Sequence, residues 1–259
     1  MKILVIGESC MDIFEYGTCT RLNPEAPTPI FVSKMTVSNR GMAGNVHNNL
    51  KSLEHFEVEA LHQTNGLLKK RRYVDESSNY ILLRVDDDRT PEALKLHREI
   101  VERVRSADAV VVSDYNKGFL DKTTLAWIAQ NSVCSFLDTK KSLETWWASK
   151  FTWIKINEKE FNNPLHEENF LREHSESIIV TLGGQGARIG ETIYHGQESE
   201  VRDVVGAGDS FLAGFAAAYL KTQGDLEKSM NFANLAGSHA VKKKGVADLS
   251  ELKGIFVKL

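Results

Sequence analysis

The chain has 259 residues, with 32 Lys and Arg against 35 Asp and Glu, so its formal net charge of −3 provides no overall field for nucleic acid or an anionic membrane. Hydrophobic residues make up 42%, enough for a sizeable core and too many for a chain disordered throughout. Cys10, Cys19 and Cys134 are odd in number and contain no C-x-x-C pair, which argues against a disulfide framework or structural zinc and suits a reducing, cytoplasmic setting.

The opening run Met-Lys-Ile-Leu-Val-Ile-Gly reaches Glu8 at once, unlike a signal peptide, and the longest apolar stretch, residues 211–220, is too short to span a bilayer. A first strand is expected at residues 3–6. Residues 30–37 and 71–85 read as extended segments without an intervening long helix, and are expected to form a small accessory sheet. Pro24, Pro27 and Pro29 keep helix out of the loop before the first of these segments. Gly41-Met-Ala-Gly-Asn45 opens an apparent helix. Further apolar runs at 109–112, 133–137, 153–156 and 178–182 alternate with helical segments, and three- and four-residue spacing predicts helices at 207–222 and 226–243. The strand runs are nearly continuous, as in parallel strands buried on both faces, so the predicted class is α/β with ligands at the carboxyl ends of the strands. No repeat or interdomain linker interrupts residues 1–259.

The sharpest motif is Asp203-Val-Val-Gly-Ala-Gly-Asp-Ser-Phe211, which runs into a small-residue helix. Gly206, Ala207 and Gly208 allow backbone amides to crowd at the helix start, where unpaired N–H groups and the macrodipole favour an anion. Asp209 in that first turn could take a proton from a hydroxyl beside a transferring phosphoryl group; the alternative is a helix-start carboxylate with closely packed glycines. Asn157-Glu-Lys-Glu160 would put an amide oxygen and a carboxylate on one face, a sparse set suited to Mg²⁺, but the same spacing is that of a simple capping box. Thr181-Leu-Gly-Gly-Gln-Gly186 could let a nucleotide approach the backbone, or serve only as a turn. Asn45 could meet a polyol or cap a helix start. Lys69-Lys-Arg-Arg72 is either a charged sheet edge or a contact for a substrate phosphate. The histidines show no metal-ligand spacing, and the chain lacks a G-x-x-x-x-G-K-[ST] loop, a dinucleotide fingerprint and a G-x-S-x-G elbow.

At Asp203–Phe211 the chain resembles the second signature of the PfkB (ribokinase-like) carbohydrate kinases, and the likeness extends over almost its whole length. Within that family it is most similar to the D-glycero-β-D-manno-heptose-7-phosphate kinases, through Gly7-Glu-Ser-Cys-Met-Asp12, Arg21-Leu-Asn-Pro-Glu-Ala-Pro-Thr-Pro29, Gly41-Met-Ala-Gly-Asn45, Leu82-Leu-Arg-Val-Asp86, Ser113-Asp-Tyr-Asn-Lys-Gly118 and Ala233-Asn-Leu-Ala-Gly237. The resemblance implies a three-layer α/β/α domain over residues 1–259, with a mainly parallel central sheet and a small β-lid from segments near 13–37 and 69–86. It implies ATP as phosphoryl donor, Mg²⁺, a sugar phosphate acceptor such as heptose 7-phosphate, and a homodimer formed through the lid. Asp209 would be the base and Gly206, Ala207 and Gly208 the anion hole. Asp12, Gly41, Asn45 and Arg84 would line the sugar pocket, and Thr181, Gly183, Gly186 and Asn234 the nucleotide pocket. Asn157 and Glu160 would hold Mg²⁺ through water. Asp203, with carbonyls near Val205 and residues 242–245, would match a monovalent-cation site for K⁺. Other readings are a kinase for another sugar and a sugar- or nucleotide-binding module without catalysis. Met42 stands where the family has a second glycine, Thr139 where it commonly has proline, and the stretch between Leu50 and Lys69 is shorter than in relatives. An H-x-G-H nucleotidyltransferase signature is not found, so the kinase step alone is expected.

Overall fold

The computed structural model describes residues 1–63, 66–87, 89–197, 203–243, 245 and 247–259. After β1 (Lys2–Gly7) come β2 (Ser9–Leu22), β3 (Pro29–Met42), α1 (Ala43–Ser52), β4 (Glu57–Leu61), β5 (Leu68–Asp75) and β6 (Ile81–Asp86). Strands and helices then alternate: α2 (Arg98–Ser106), β7 (Ala109–Asp114), α3 (Lys122–Asn131), β8 (Ser135–Thr139), α4 (Thr145–Ala148) and β9 (Trp153–Asn157). α5 (Glu158–Phe161), α6 (Glu168–Glu173), β10 (Ile178–Thr181), β11 (Gly186–Ile189) and β12 (Thr192–His195) precede three final helices, α7 (Ala207–Lys221), α8 (Leu226–Val241) and α9 (Lys253–Val257).

The larger sheet has the order β12-β11-β10-β9-β8-β7-β1-β4, with every neighbouring pair from β10 to β4 parallel and β11 and β12 antiparallel at one edge. Side chains alternate across it, as a strand's two-residue period requires. Ile3, Val5 and Val111 join a core with residues of α1, α7 and α8, whereas Leu4, Ile6 and Val112 join one with residues of α2, α3 and α4. The expected three-layer α/β/α fold with a mainly parallel sheet is therefore observed. The inner helices approach closely because their side chains are small: a Cβ on Gly214 of α7 would lie 2.8 Å from the Cβ of Ala236 in α8.

From β1 the chain moves to β4 on one side and returns as β7 on the other, so a crevice opens at the carboxyl ends of β1 and β7. Gly7 sits at its base, where a Cβ would fall 1.9 Å from the Ser113 carbonyl oxygen. Above this end lies the second sheet, of order β3-β2-β5-β6. The sequence pattern missed β2 because Ser9–Leu22 has no continuous apolar run. It also read 71–85 as one segment, which the structure divides at a turn: the Asp75 carboxylate accepts from the Ser78 amide at 2.9 Å and Asn79 takes φ 61°.

The strand β4 forms the other edge of the main sheet. Its Glu59 is level with Leu4, on the α2 face, and pairs with Lys2 at 2.7 Å and Arg103 at 3.0 Å. Arg103 also donates to the Ala60 carbonyl at 3.1 Å, so α2 covers part of this edge with a charged side chain. Among the described residues, no helix is long and apolar enough to cross a membrane.

Candidate active site

The start of α7 has the geometry its glycines suggested. Gly206 adopts a left-handed conformation at φ 79°, and its carbonyl accepts from the Ser210 amide at 2.9 Å. The helix then runs fifteen residues with its first amides lacking intrahelical acceptors, which makes its N-terminus electropositive.

Asp209 is buried there, 4% exposed, with each carboxylate oxygen occupied. Asn45 Nδ2 donates to Oδ2 at 3.1 Å, and the Tyr115 hydroxyl donates to Oδ1 at 3.0 Å. Asn45 is itself fixed by Asn49, whose Nδ2 donates to the Asn45 carbonyl at 2.8 Å and to its side-chain oxygen at 2.9 Å. Burial is the main cause that pushes the Asp209 carboxyl up to about 6, and the nearby Asp138 carboxylate adds to it; Asn45, Lys155 and Tyr115 act in the opposite direction. Asp209 is thus ionised near neutrality yet basic enough to accept a proton.

Beside it lies an ion pair that the sequence pattern did not reveal. Lys155 of β9 donates to Asp138 of β8 at 2.7 Å, both side chains being almost wholly buried. Burial works against the Lys155 ammonium, but Asp138, Glu160 and Asp209 outweigh it and raise its proton affinity. A Cβ on Gly208 would lie 2.9 Å from Lys155 Nζ, so the glycine brings the helix start onto that cation. Asp138 Oδ1 is buried without a hydrogen-bond partner among the described residues.

Asn157 and Glu160 form the capping box. The Glu160 amide donates to Asn157 Oδ1 and the Asn157 amide to Glu160 Oε2, both at 2.9 Å, while Lys140 pairs with the other Glu160 oxygen. No group of three or more His, Cys, Asp or Glu residues gathers into a metal cage among the described residues. The hard, all-oxygen character of Asn157 and Glu160, with the unpartnered Asp138 oxygen, fits a magnesium ion held mostly by water and phosphate oxygens.

Thr181, Gly183, Gly186 and Asn234 line one cleft of about 780 Å³, together with Ala207 and Gly208. Asn234 donates to the carbonyls of Tyr194 at 2.8 Å and His195 at 3.3 Å, which ties α8 to β12 along the cleft wall. Across the helix start, Gly41 packs on Asp12: a Cβ would fall 2.0 Å from Asp12 Oδ2 and 2.7 Å from Cys10 Sγ. Asp12 receives Arg72 Nη1 at 2.5 Å in a pair with both side chains 6% exposed. Arg84 does not join this group directly. It lies opposite Arg72 on the exposed β6 and donates to both oxygens of Asp86, at 2.7 and 2.6 Å.

Asp203 also binds locally, accepting from the Val205 amide at 3.0 Å and the Gly245 amide at 3.2 Å, so it joins the loops before α7 and after α8. Lys244, within the expected carbonyl set, lies outside the described residues.

A family model described as pfkB family carbohydrate kinase matches residues 62–253. Among curated relatives, the Bifunctional protein HldE of a Nitratiruptor species is 32% identical over 295 aligned positions, covering 95% of this chain. That of Helicobacter pylori is 30% identical over 303, covering 97%. The chain spans only 62% and 65% of the length of these two relatives. Both alignments are longer than the 259-residue chain, so the relatives carry additional residues within the aligned region. A ribokinase from Thermotoga maritima superposes with a TM-score of 0.73 at 17% identity, covering 99% of both chains. Arabidopsis thaliana ribokinase, solved with ribose and ATP, gives 0.72 at 15% identity, covering 99% of this chain and 98% of that one.

Proposed function

This chain belongs to the pfkB family of carbohydrate kinases, and from that membership we propose that it phosphorylates the anomeric hydroxyl of D-glycero-D-manno-heptose 7-phosphate with ATP as donor. The observation that carries the chemical part of this reading is the Asp209 carboxylate, buried at the start of α7 between Asn45 and the nucleotide-sized cleft. The substrate part rests on the likeness to the HldE relatives.

In this mechanism Asp209 accepts the acceptor hydroxyl proton. The freed oxygen forms a bond to the γ-phosphorus as the bond from that phosphorus to the β,γ-bridging oxygen breaks, and ADP leaves. Gly206, Ala207 and Gly208 would present backbone amides to the phosphoryl oxygens, the Ala207 amide giving up its 3.4 Å contact with the Val204 carbonyl, and Lys155 would add positive charge beside Gly208. Bound Mg²⁺ would neutralise phosphate charge, with Asn157 and Glu160 holding it through water. Thr181, Gly183, Gly186 and Asn234 would border the nucleotide, and Asp12, Gly41 and Asn45 the sugar. Arg84 spends Nε and Nη2 on Asp86, which leaves the Nη1 end of its guanidinium for the acceptor, and Lys70 stands on β5, 5.0 Å from the Tyr115 ring centroid. The Asp203 loop is the candidate position for K⁺, which a potassium titration of activity tests.

The second sheet would act as a lid over the acceptor, limiting access of water. Its strand β6 exposes Ile81, Leu82, Leu83 and Val85 at 47–56%, an apolar edge consistent with pairing between two copies, which sedimentation tests. The deciding experiment is phosphorus NMR with Mg·ATP and D-glycero-D-manno-heptose 7-phosphate. A new anomeric phosphate signal in the wild type and its loss in Asp209→Asn supports the assignment; transfer only to other sugars in a panel would replace the substrate, and no transfer by folded protein would leave a binding module.

A further inference from the structure

We propose that the Tyr115 hydroxyl is a stand-in for the acceptor hydroxyl, holding the reactive oxygen of Asp209 until the sugar displaces it and thereby suppressing ATP hydrolysis in the sugar's absence. This inference rests on Asp209 being the kinase base, but not on the identity of the sugar. Oδ2 of Asp209 is committed to Asn45, which sits in a helix and is locked by Asn49. Oδ1 is the oxygen whose partner can exchange, and its partner is an O–H group at 3.0 Å, the same chemical contact an acceptor must make.

The phenol is positioned for this task by its surroundings. Its loop follows β7 and is clamped from below by the buried Glu8, whose carboxylate accepts from the amides of Tyr115 at 2.9 Å, Lys117 at 3.0 Å and Phe119 at 3.3 Å. Asn116 adopts φ 54° and its amide is held by Asp114 at 3.0 Å, so the turn beyond the ring is also specified. The ring has Lys70 at 5.0 Å and Lys140 at 5.6 Å from its centroid, one from each sheet's side of the site. The residue as a whole is half-buried, its ring packed against the cluster of Cys10, Met42 and Leu68, so displacing the hydroxyl from Asp209 requires the side chain to shift against that cluster. Desolvation and the nearby carboxylates of Asp209 and Asp138 push the phenol well above the usual tyrosine range, so it remains a hydrogen-bond donor at working pH.

A donor already on Oδ1 has two consequences. The acceptor must compete with it, which raises the acceptor's KM. Water is kept from the same position, which lowers hydrolysis of ATP. Tyr115→Phe retains the ring between the lysines and removes only the donor. The expected result is a roughly tenfold rise in phosphate release from Mg·ATP without sugar, and a KM for D-glycero-D-manno-heptose 7-phosphate lower by a similar factor with kcat little changed. The added hydrolysis must disappear in the Asp209→Asn, Tyr115→Phe double variant. Unchanged hydrolysis and KM, or added hydrolysis that persists without Asp209, would overturn the proposal. The hydrolysis arm needs no sugar, so it is read even if the heptose fails as substrate. Wild-type protein supplies a measurement independent of the variant's folding: an accepted sugar titrated into it should produce a tyrosine ultraviolet difference spectrum as the phenol leaves the carboxylate, and its absence at saturation would also overturn the proposal.

Discussion

Asn45 Nδ2 meets Asp209 Oδ2 at 3.1 Å, joining side chains 164 positions apart in sequence. The contact places the first turn of α1 against the first turn of α7 and keeps the carboxylate from rotating. Asp209→Asn should keep the fold and reduce kcat by about 10²–10⁴-fold, the range of a lost general base. The same change should raise stability near neutral pH. The native carboxyl is pushed up to about 6, above its unfolded value, so its contribution favours folding below the unfolded value and is lost as pH rises through about 6. Removing the charge should recover roughly 1–3 kcal/mol at pH 7.5, read from urea denaturation. A large loss of stability would contradict a desolvated carboxylate at this position.

The pH profile follows from the same group. As pH falls through about 6, Asp209 takes up a proton; if it is the base proposed above, kcat/KM should decline about tenfold per unit below that point. Asp138 is the neighbouring charge that raises Asp209, opposed by Lys155, Asn45 and Tyr115. Asp138→Asn should therefore move the acidic limb to lower pH. An unmoved limb would assign it to another group.

The sequence showed the strands of the main sheet because residues such as Val110, Val111 and Val112 are buried on both faces and form continuous apolar runs. It showed the start of α7 because Gly206 and Gly208 are required by a left-handed cap and by close approach to Lys155. The Lys155–Asp138 pair was hidden: Lys155 interrupts an apolar strand and Asp138 ends another, and only parallel pairing of β8 with β9 makes them neighbours. Tyr115 was visible only as part of a matching motif, since its contact with Asp209 depends on the crevice between β1 and β7. At Asn157 and Glu160 the sequence allowed a cap or a metal position; the cap is formed, and the remaining Glu160 oxygen is paired with Lys140.

That buried ion pair makes its own prediction. Lys155→Met removes the cation and leaves Asp138 charged in a site 4% exposed, which should cost about 3–5 kcal/mol of stability. Adding Asp138→Leu should restore much of the loss, because two apolar side chains can replace a buried pair. If Lys155 charges the proposed phosphoryl site, activity should remain lost in the double variant. Recovery of both stability and turnover would give Lys155 a purely structural role.

Gly41 tests the sugar side. Gly41→Ala would place a methyl group 2.0 Å from Asp12 Oδ2, closer than any real contact, so Asp12 must move and disturb its pair with Arg72. Acceptor KM should rise at least tenfold while the KM for ATP, for which the cleft beside Asn234 is the proposed site and which Gly41 does not line, changes less than twofold. Equal changes in both would mean that the variant disturbs the helix start rather than the acceptor pocket.

The strand β4 stands at the edge of the main sheet, and Arg103 covers part of it. Its guanidinium meets both Glu59 and the Ala60 carbonyl, while Lys2 also serves Glu59. The ion pair is partly exposed, so its net value is small; the hydrogen bond to a strand carbonyl and the packing of the long stem add to it. Arg103→Ala should lower stability by about 1–2 kcal/mol, and Arg103→Met, which keeps the stem, by about half as much. Neither should alter kcat, since α2 lies away from Asp209 and the cleft. A shift in kcat with unchanged urea midpoint would show that this edge is coupled to the site instead of only closing the fold.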